Sequence, residues 1–159
     1  MKFIYTGQNR SDAKRKLAVM VSDEDYDFLS KFNWQVDKNN TVSTHTLING
    51  QRQIHRILLN PRKGEEIDHI DGNRLNNQRS NLRLATSTQN KRNRGPRKDN
   101  TSGYKGVCWH KQRQKWAANI HDGNKYHSLG LHANKIDAAK AYNKAALEYH
   151  GEFAWINKL

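Results

Sequence analysis

The run Ile67-Asp68-His69-Ile70-Asp71-Gly72-Asn73-Arg74-Leu75-Asn76-Asn77, continued by Asn81-Leu82-Arg83-Leu84-Ala85 and Thr88-Gln89-Asn90, decides how the chain is organised. Residues 65–70 read as a short strand that must end at the turn-forming Asp71-Gly72-Asn73. A polar loop rich in Asn and Arg follows. Residues 82–85 alternate as a second strand, and Thr86-Ser87-Thr88-Gln89 has the form of a capping box opening a helix that carries Asn90 and Asn93. The order is therefore strand, loop, strand, helix.

Hydrolysis of a phosphodiester needs a base to activate water, a cation to stabilise the charge that develops, and a scaffold that holds both in line. Asp68 and His69, adjacent at the end of a strand, send a carboxylate and an imidazole to opposite sides of the chain. Asn90, one turn into the helix, can return an amide oxygen to the same point. Hard oxygen donors from Asp68 and Asn90, completed by phosphate and water, suit a single Mg²⁺ or Mn²⁺ rather than zinc. Taken alone, however, Asp-Gly-Asn is an ordinary turn and an Asp-His pair an ordinary surface feature.

Upstream, residues 17–21 read as a buried strand. Ser22-Asp23-Glu24-Asp25 then supplies a cap and an acidic first turn for a helix through about Phe32, with Tyr26, Leu29 and Phe32 on one face. Residues 34–36 and 41–48 read as strands, and Asn49-Gly50 is a strong hairpin signal. Residues 1–53 form a small α+β platform on this reading, and 54–93 complete the first domain. His55-Arg56 precedes the central run; Arg56 is placed to hold a phosphate, whereas His55 is equally well a satisfied, partly buried side chain.

Downstream, the stretch Arg94-Gly95-Pro96-Arg97-Lys98-Asp99-Asn100-Thr101 is polar, basic and broken by Gly and Pro, the composition of a tether. Residues 102–159 then hold three strand-like stretches, at 106–110, 116–121 and 125–129. A helix follows from an Asn134 cap to about Tyr149, its small-residue face formed by Ala138, Ala139, Tyr142, Ala145, Ala146 and Tyr149. Alternation turns Val107, Trp116, Ala118, Ile120 and Leu129 toward that helix. The opposite face carries Cys108, His110, Lys115, Asn119, His121, Tyr126 and Ser128, with Lys105, Lys111, Arg113 and Lys125 around it. A sheet with one polar, basic face can enter a DNA major groove.

Charge agrees with a nucleic-acid partner. The 159 residues carry a formal +13; residues 1–80 hold thirteen Lys/Arg against ten Asp/Glu, and residues 81–159 fifteen against five. Such a field favours a polyanion, and double-stranded DNA is the densest common one. No basic stretch has the uninterrupted apolar face of a membrane-surface helix, and no signal-peptide run or membrane span is present, so a soluble, cytoplasmic protein is expected. Cys108, the single cysteine, excludes internal disulfides and Cys-rich zinc fingers.

With these residues in place, residues 54–93 resemble the HNH endonucleases of phages and intron homing elements, through His55-Arg56, the run from Ile67 to Asn77, Asn81-Leu82-Arg83 and Thr88-Gln89-Asn90. The resemblance implies a ββα-metal finger in an α+β protein. It also implies Asp68 and Asn90 as ligands of one Mg²⁺ or Mn²⁺ and His69 as general base. Asn81 would brace the loop so that a backbone carbonyl holds the imidazole. Asn90 stands where other members have a second His. Residues 102–157 resemble the AP2 DNA-binding domain, through Ser102-Gly103-Tyr104-Lys105-Gly106-Val107, Lys115-Trp116-Ala117-Ala118-Asn119-Ile120, Leu129-Gly130, the run from Ala138 to Ala146, and Asn157. That implies a three-stranded antiparallel sheet, buttressed by one helix, reading the major groove. Lys105, Cys108, His110 and His121 replace the base-contacting arginines of plant members, so no target sequence transfers. The function expected is a metal-dependent, site-recognising DNA endonuclease of homing type, acting as a monomer without a small-molecule cofactor. The alternative is a non-catalytic DNA-binding regulator that keeps the HNH scaffold.

Overall fold

The computed structural model describes residues 1–7 and 16–159, so part of the expected 1–53 platform, residues 8–15, lies outside the described residues. The protein is mixed α+β and divides into two compact units, Met1–Thr86 and Ser87–Leu159.

The first unit begins with β1 (Lys2–Tyr5), paired antiparallel to β2 (Ala18–Val21). Its helix α1 (Asp23–Leu29) stops three residues short of the expected end. The Trp34 indole donates from Nε1 to the Leu29 carbonyl at 2.8 Å, which buries the ring and satisfies the last residue of the helix at once. Ser22 precedes α1 but does not cap it with its side chain; the hydroxyl instead accepts from the Arg79 backbone N–H at 2.9 Å. Strands β3 (Gln35–Val36), β4 (Val42–Ile48) and β5 (Gln51–Gln53) form a meander. Its tight turn falls at Asn49-Gly50, both with positive φ (50° and 75°), as a two-residue hairpin requires. Helix α2 (Ile54–Leu59) follows directly and ends on Asn60 in the left-handed conformation.

The central run sits on this platform. β6 (Glu66–His69) pairs antiparallel with β8 (Leu82–Ala85), placing Asp68 opposite Arg83 and His69 opposite Leu82. The intervening loop is not featureless: β7 (Asn76–Asn77) joins β2 in parallel, Val21 opposite Asn77. Ile67 and Leu82 enter the core made by Ile4, Val19, Val21, Leu29, Trp34, Val42, Ile54 and Leu58. The two-stranded β6–β8 ribbon could not bury both faces alone; the platform core covers it.

The second unit opens with α3 (Ser87–Arg92), shorter than expected, so Asn93 follows the helix. The three-stranded antiparallel sheet is β9 (Val107–His110), β10 (Lys115–His121) and β11 (Tyr126–His132), with β10 central. α4 (Lys135–His150) packs on it through Ala138, Ala139, Tyr142, Ala145 and Ala146, and Asn134 caps α4 by accepting from the Asp137 N–H at 2.9 Å. Gly106 has φ +76, and a Cβ there would lie 2.0 Å from the Tyr142 ring and 2.6 Å from the Asn119 carbonyl oxygen, so a side chain is excluded.

Residues 94–101, read as a tether, make contacts inside this unit. Gly95 lies against the Trp155 ring, and the Asn100 carboxamide bonds Ser102, Gly103 and Tyr104. Lys105 Nζ donates to the carbonyls of Arg92 and Arg94 at 2.5 and 2.7 Å. The compact units thus meet at Thr86/Ser87, seven residues before the expected end of the first domain. No helix among the described residues is long and apolar enough to cross a membrane.

Candidate active site and DNA-binding face

Asp68 and His69 are both buried, at 4% and 8% exposure, although they point to opposite faces of β6. Asp68 Oδ2 accepts from Arg83 Nε at 2.9 Å and Nη2 at 2.7 Å. The pairing register sets Arg83 directly across the ladder from Asp68, which brings its guanidinium within reach of the carboxylate. Burial pushes the His69 imidazole below its ordinary pKa, against an opposing contribution from the Asn77 amide and from Asp71 and Asp68.

The His69 ring meets Asn77 Oδ1 through Nε2 at 3.3 Å and the His55 ring edge to face at 5.5 Å. The Asn77 group in this contact is a side-chain carbonyl, carried by the strand-paired residue of β7. His55 itself is held down to about 4, chiefly by burial and then by the neighbouring His69 and Arg56. Arg56, on the same helix, donates from Nε to Gln51 Oε1 at 2.9 Å.

Asn81 closes the loop. Its Oδ1 accepts from the Asp71 N–H at 3.0 Å, its Nδ2 donates to Asp71 Oδ1 at 2.9 Å and to the Asn76 carbonyl at 2.8 Å, and its own carbonyl accepts from the Ile70 N–H. Asn76 adds a bond to Asp71 Oδ2 at 2.8 Å, and Gly72 N–H returns to the His69 carbonyl. Burial raises the Asp71 carboxyl pKa, but the bonds from Asn76, Asn73 and Asn81 outweigh it and leave a net lowering. Arg79, which the sequence reading passed over, ties this loop to the platform. Its guanidinium reaches Asp25 at 2.8 to 3.2 Å and the Leu58 carbonyl at 3.3 Å. The partners lie up to 54 residues apart, so no local pattern announces them.

Among the described residues, no group of three or more His, Cys, Asp or Glu side chains could hold a metal ion. The donors expected here, one carboxylate and one amide, are of the hard kind that binds Mg²⁺ or Mn²⁺ together with phosphate and water. They fit such an ion by chemistry, with the Arg83 guanidinium already bonded to one carboxylate oxygen. Asn90 lies on α3, in the second unit.

On the second unit's sheet, cross-strand pairs set Lys115 beside His110, Ala117 beside Cys108, Asn119 beside Ser128, and His121 beside Tyr126. The burial of Val107, Ala118 and Ile120 puts the intervening residues on the outer face. Tyr126 is 79% exposed and its ring stands edge-on to His121 at 4.8 Å. Lys111, Arg113, Lys115 and Lys125 are exposed around this face. Lys105 departs from the expectation: its ammonium is spent on the end of α3, and burial lowers its pKa to about 8. Asn157 grips the Lys105 backbone from both sides, accepting from N–H at 2.8 Å and donating to the carbonyl at 3.1 Å, which accounts for the closing Asn of the pattern.

Comparison with known proteins gives two family matches, HNH endonuclease over residues 60–92 and AP2 domain over residues 102–152. Protein 3.8 of Escherichia phage T7 is 39% identical over 92 residues, covering 58% of this chain and 75% of that one. A protein described as an uncharacterized HNH endonuclease, from Acanthamoeba polyphaga mimivirus, is 34% identical over 147 residues, 89% of this chain and 75% of the relative. An AP2-like ethylene-responsive transcription factor of Arabidopsis thaliana is 46% identical over 52 residues, 31% of this chain and 15% of its own. No solved structure matches. From motif, geometry and these relatives together, the chain belongs to the HNH endonucleases and carries an AP2 domain at its C-terminal end.

Proposed function

We propose that this protein is a metal-dependent DNA endonuclease that recognises a site and hydrolyses phosphodiester bonds there, a homing-type enzyme working as a monomer. The observation that carries the reading is the buried Asp68-His69 pair at the end of β6, braced by the Asn81 network, in a chain with an HNH domain. Asp68 and Asn90 would hold one Mg²⁺ or Mn²⁺, whose charge stabilises the phosphorane-like transition state. His69 takes a proton from the attacking water as its oxygen bonds to phosphorus. The phosphorus–oxygen bond to the departing sugar then breaks, and that oxygen leaves with a proton from solvent. Asn81 keeps the loop, and with it the imidazole, in place. The outer face of β9–β11, with Cys108, His110, Lys115, Asn119, His121, Tyr126 and Ser128, reads the groove, while Arg56, Lys111, Arg113 and Lys125 contact phosphates.

Supercoiled plasmid incubated with the protein and Mg²⁺, in parallel with EDTA, tests this directly. Conversion to open-circle or linear DNA only in the presence of metal is expected. One observation favours a second reading, a DNA-binding regulator on an HNH scaffold: Arg83 already neutralises the Asp68 carboxylate. Intact plasmid under every metal condition, together with site-specific binding, would select it.

A further inference from the structure

The second unit holds a cavity of about 810 Å³, within the ~300–1,000 Å³ of ordinary small-molecule sites. Its lining runs from Thr88 to His150 and so stays inside Ser87–Leu159. Three buried polar atoms of that lining, Arg92 Nε, the Tyr142 hydroxyl and His150 Nδ1, have no hydrogen-bond partner among the described residues. Tyr142 is 2% exposed and His150 7%. Buried polar groups left unpaired are costly and rare in native proteins, and three around one cavity mark a place where a ligand can pair them.

Their chemistry describes that ligand. Arg92 Nε can only donate, and its Nη2 already donates to the Asp122 carbonyl, which holds the guanidinium at the cavity wall. His150 Nε2 faces the His121 carbonyl at 2.9 Å; a carbonyl only accepts, so Nε2 carries the hydrogen and Nδ1 presents a lone pair. Burial pushes the His150 ring below the ordinary imidazole pKa, and pushes the Tyr142 hydroxyl up to about 12, so the one stays neutral and the other protonated. The ligand therefore brings both an acceptor and a donor. Charge adds a further requirement. Lys91, Arg92, Arg97 and Lys105 stand in the lining against Asp99, which is itself paired with Arg97 at 3.1 Å. Lys91 is exposed, so part of the positive surplus lies on the solvent side. A phosphate satisfies the cations, the His150 lone pair asks for an N–H, and the rings of His121, Tyr126 and Tyr142 in the lining suit a flat heterocycle.

We propose that this cavity binds a nucleoside monophosphate, its phosphate held by Arg92 and Lys91 and its base paired with His150 Nδ1 and the Tyr142 hydroxyl. The nucleotide is either free or an unpaired unit of a DNA strand, two sources of one chemistry. Calorimetric titration of the full chain in EDTA with each of the four deoxynucleoside 5′-monophosphates tests this without turnover. At least one should bind about tenfold more tightly than its nucleoside, deoxyribose 5-phosphate or inorganic phosphate. A second arm sets a DNA hairpin with one unpaired nucleotide beside the fully paired hairpin. Preference for the unpaired form, with no binding of mononucleotides, assigns the ligand to a strand; binding of mononucleotides assigns it to the free pool.

Two variants locate the binding. Tyr142→Phe removes a hydroxyl that bonds nothing in the protein, so its melting temperature should hold or rise while affinity for the nucleotide, or for the unpaired hairpin, falls roughly 5-fold. Lys91→Gln should narrow the gap between nucleotide and nucleoside. Should Tyr142→Phe not fold, the exposed Lys91→Gln carries the assignment to this cavity. Failure of both arms at millimolar concentration, inorganic phosphate or deoxyribose 5-phosphate binding as well as the nucleotide, or unchanged affinities in a folded Tyr142→Phe or in Lys91→Gln overturns the proposal.

Discussion

At the scale of single residues, the two imidazoles of the site, His55 and His69, are pushed by burial below their ordinary pKa. His69→Ala is expected to lower turnover by about 10²- to 10⁴-fold with DNA affinity nearly intact, because a general base acts on the transition state and not on ground-state binding. Cleavage rates set beside equilibrium binding check this. Because burial depresses the His69 pKa, the base stays unprotonated below the range of an ordinary imidazole. The acid limb of the rate profile should therefore fall at a pH below about 6.5, the unperturbed value, and a limb centred at or above it would contradict the assigned environment. His55 gives a stability counterpart. Its folded pKa is about 4 against an ordinary 6.5, so the unfolded chain binds the proton more readily. The stability due to keeping it neutral is present above about pH 6.5 and is lost as pH falls toward 4, on the order of 3 kcal/mol in all. In urea titrations across that window, wild type should lose stability relative to the non-titrating His55→Phe as pH falls. Arg83→Ala leaves the buried Asp68 charge without its guanidinium and should destabilise by about 3–5 kcal/mol.

Elements show what the sequence could and could not declare. The β6–β8 ribbon, the Asn49-Gly50 hairpin and the Asn134 cap were legible because each depends on neighbours in sequence: alternation, a turn dipeptide, a side chain reaching three residues on. Asn134→Ala should accordingly cost about 1 kcal/mol, read from thermal unfolding of the full chain. β7 and β1 were missed because neither carries a pattern of its own. Asn76-Asn77 looks like loop and becomes a strand only through β2, more than fifty residues earlier. The same distance hides Arg79 and the true partner of the Ser22 hydroxyl. The third strand of the sheet runs on to His132, because a register shift opposite Ala117 and Asn119 lets the ladder resume beyond Leu129. The outward face was nonetheless read correctly from Cys108 to Ser128, since one bulge outside those pairs leaves their alternation intact. Catalytic geometry was less legible. Asp68 and His69 stood out by type and spacing, but Asn77's contact and Arg83's ion pair are properties of pairing, not of motif.

Across the whole molecule, Asp68, His69 and Asn81 lie in the first unit, and Asn90 and the sheet's basic rim in the second. The second, Ser87–Leu159, holds the exposed basic rim, so as a separate fragment it should bind DNA in a metal-independent, salt-sensitive way and cut nothing. Gel-shift measurements at two salt concentrations, beside a plasmid-nicking assay, check both halves of that expectation. A fragment ending at Arg94 tests the opposite side. It keeps every residue of the proposed centre but loses Lys105 and Trp155, and its cutting should drop with the order of α3, visible as faster amide exchange at Asn90.

The lysine at the end of α3 also has a temporal meaning. Chains emerge from the ribosome N-terminus first, and their domains fold as units in that order. Asp68, His69 and Asn81 can be in place as soon as the first unit is made, whereas the carbonyls of Arg92 and Arg94 wait for Lys105 and the Asn157 clasp that fixes it. The helix that bears Asn90 thus gains these last contacts only after residues 105–157 have been translated. On the proposed function, a half-made chain would carry His69 before Asn90 is settled, and would stay unable to cut DNA until its AP2 domain had also been made.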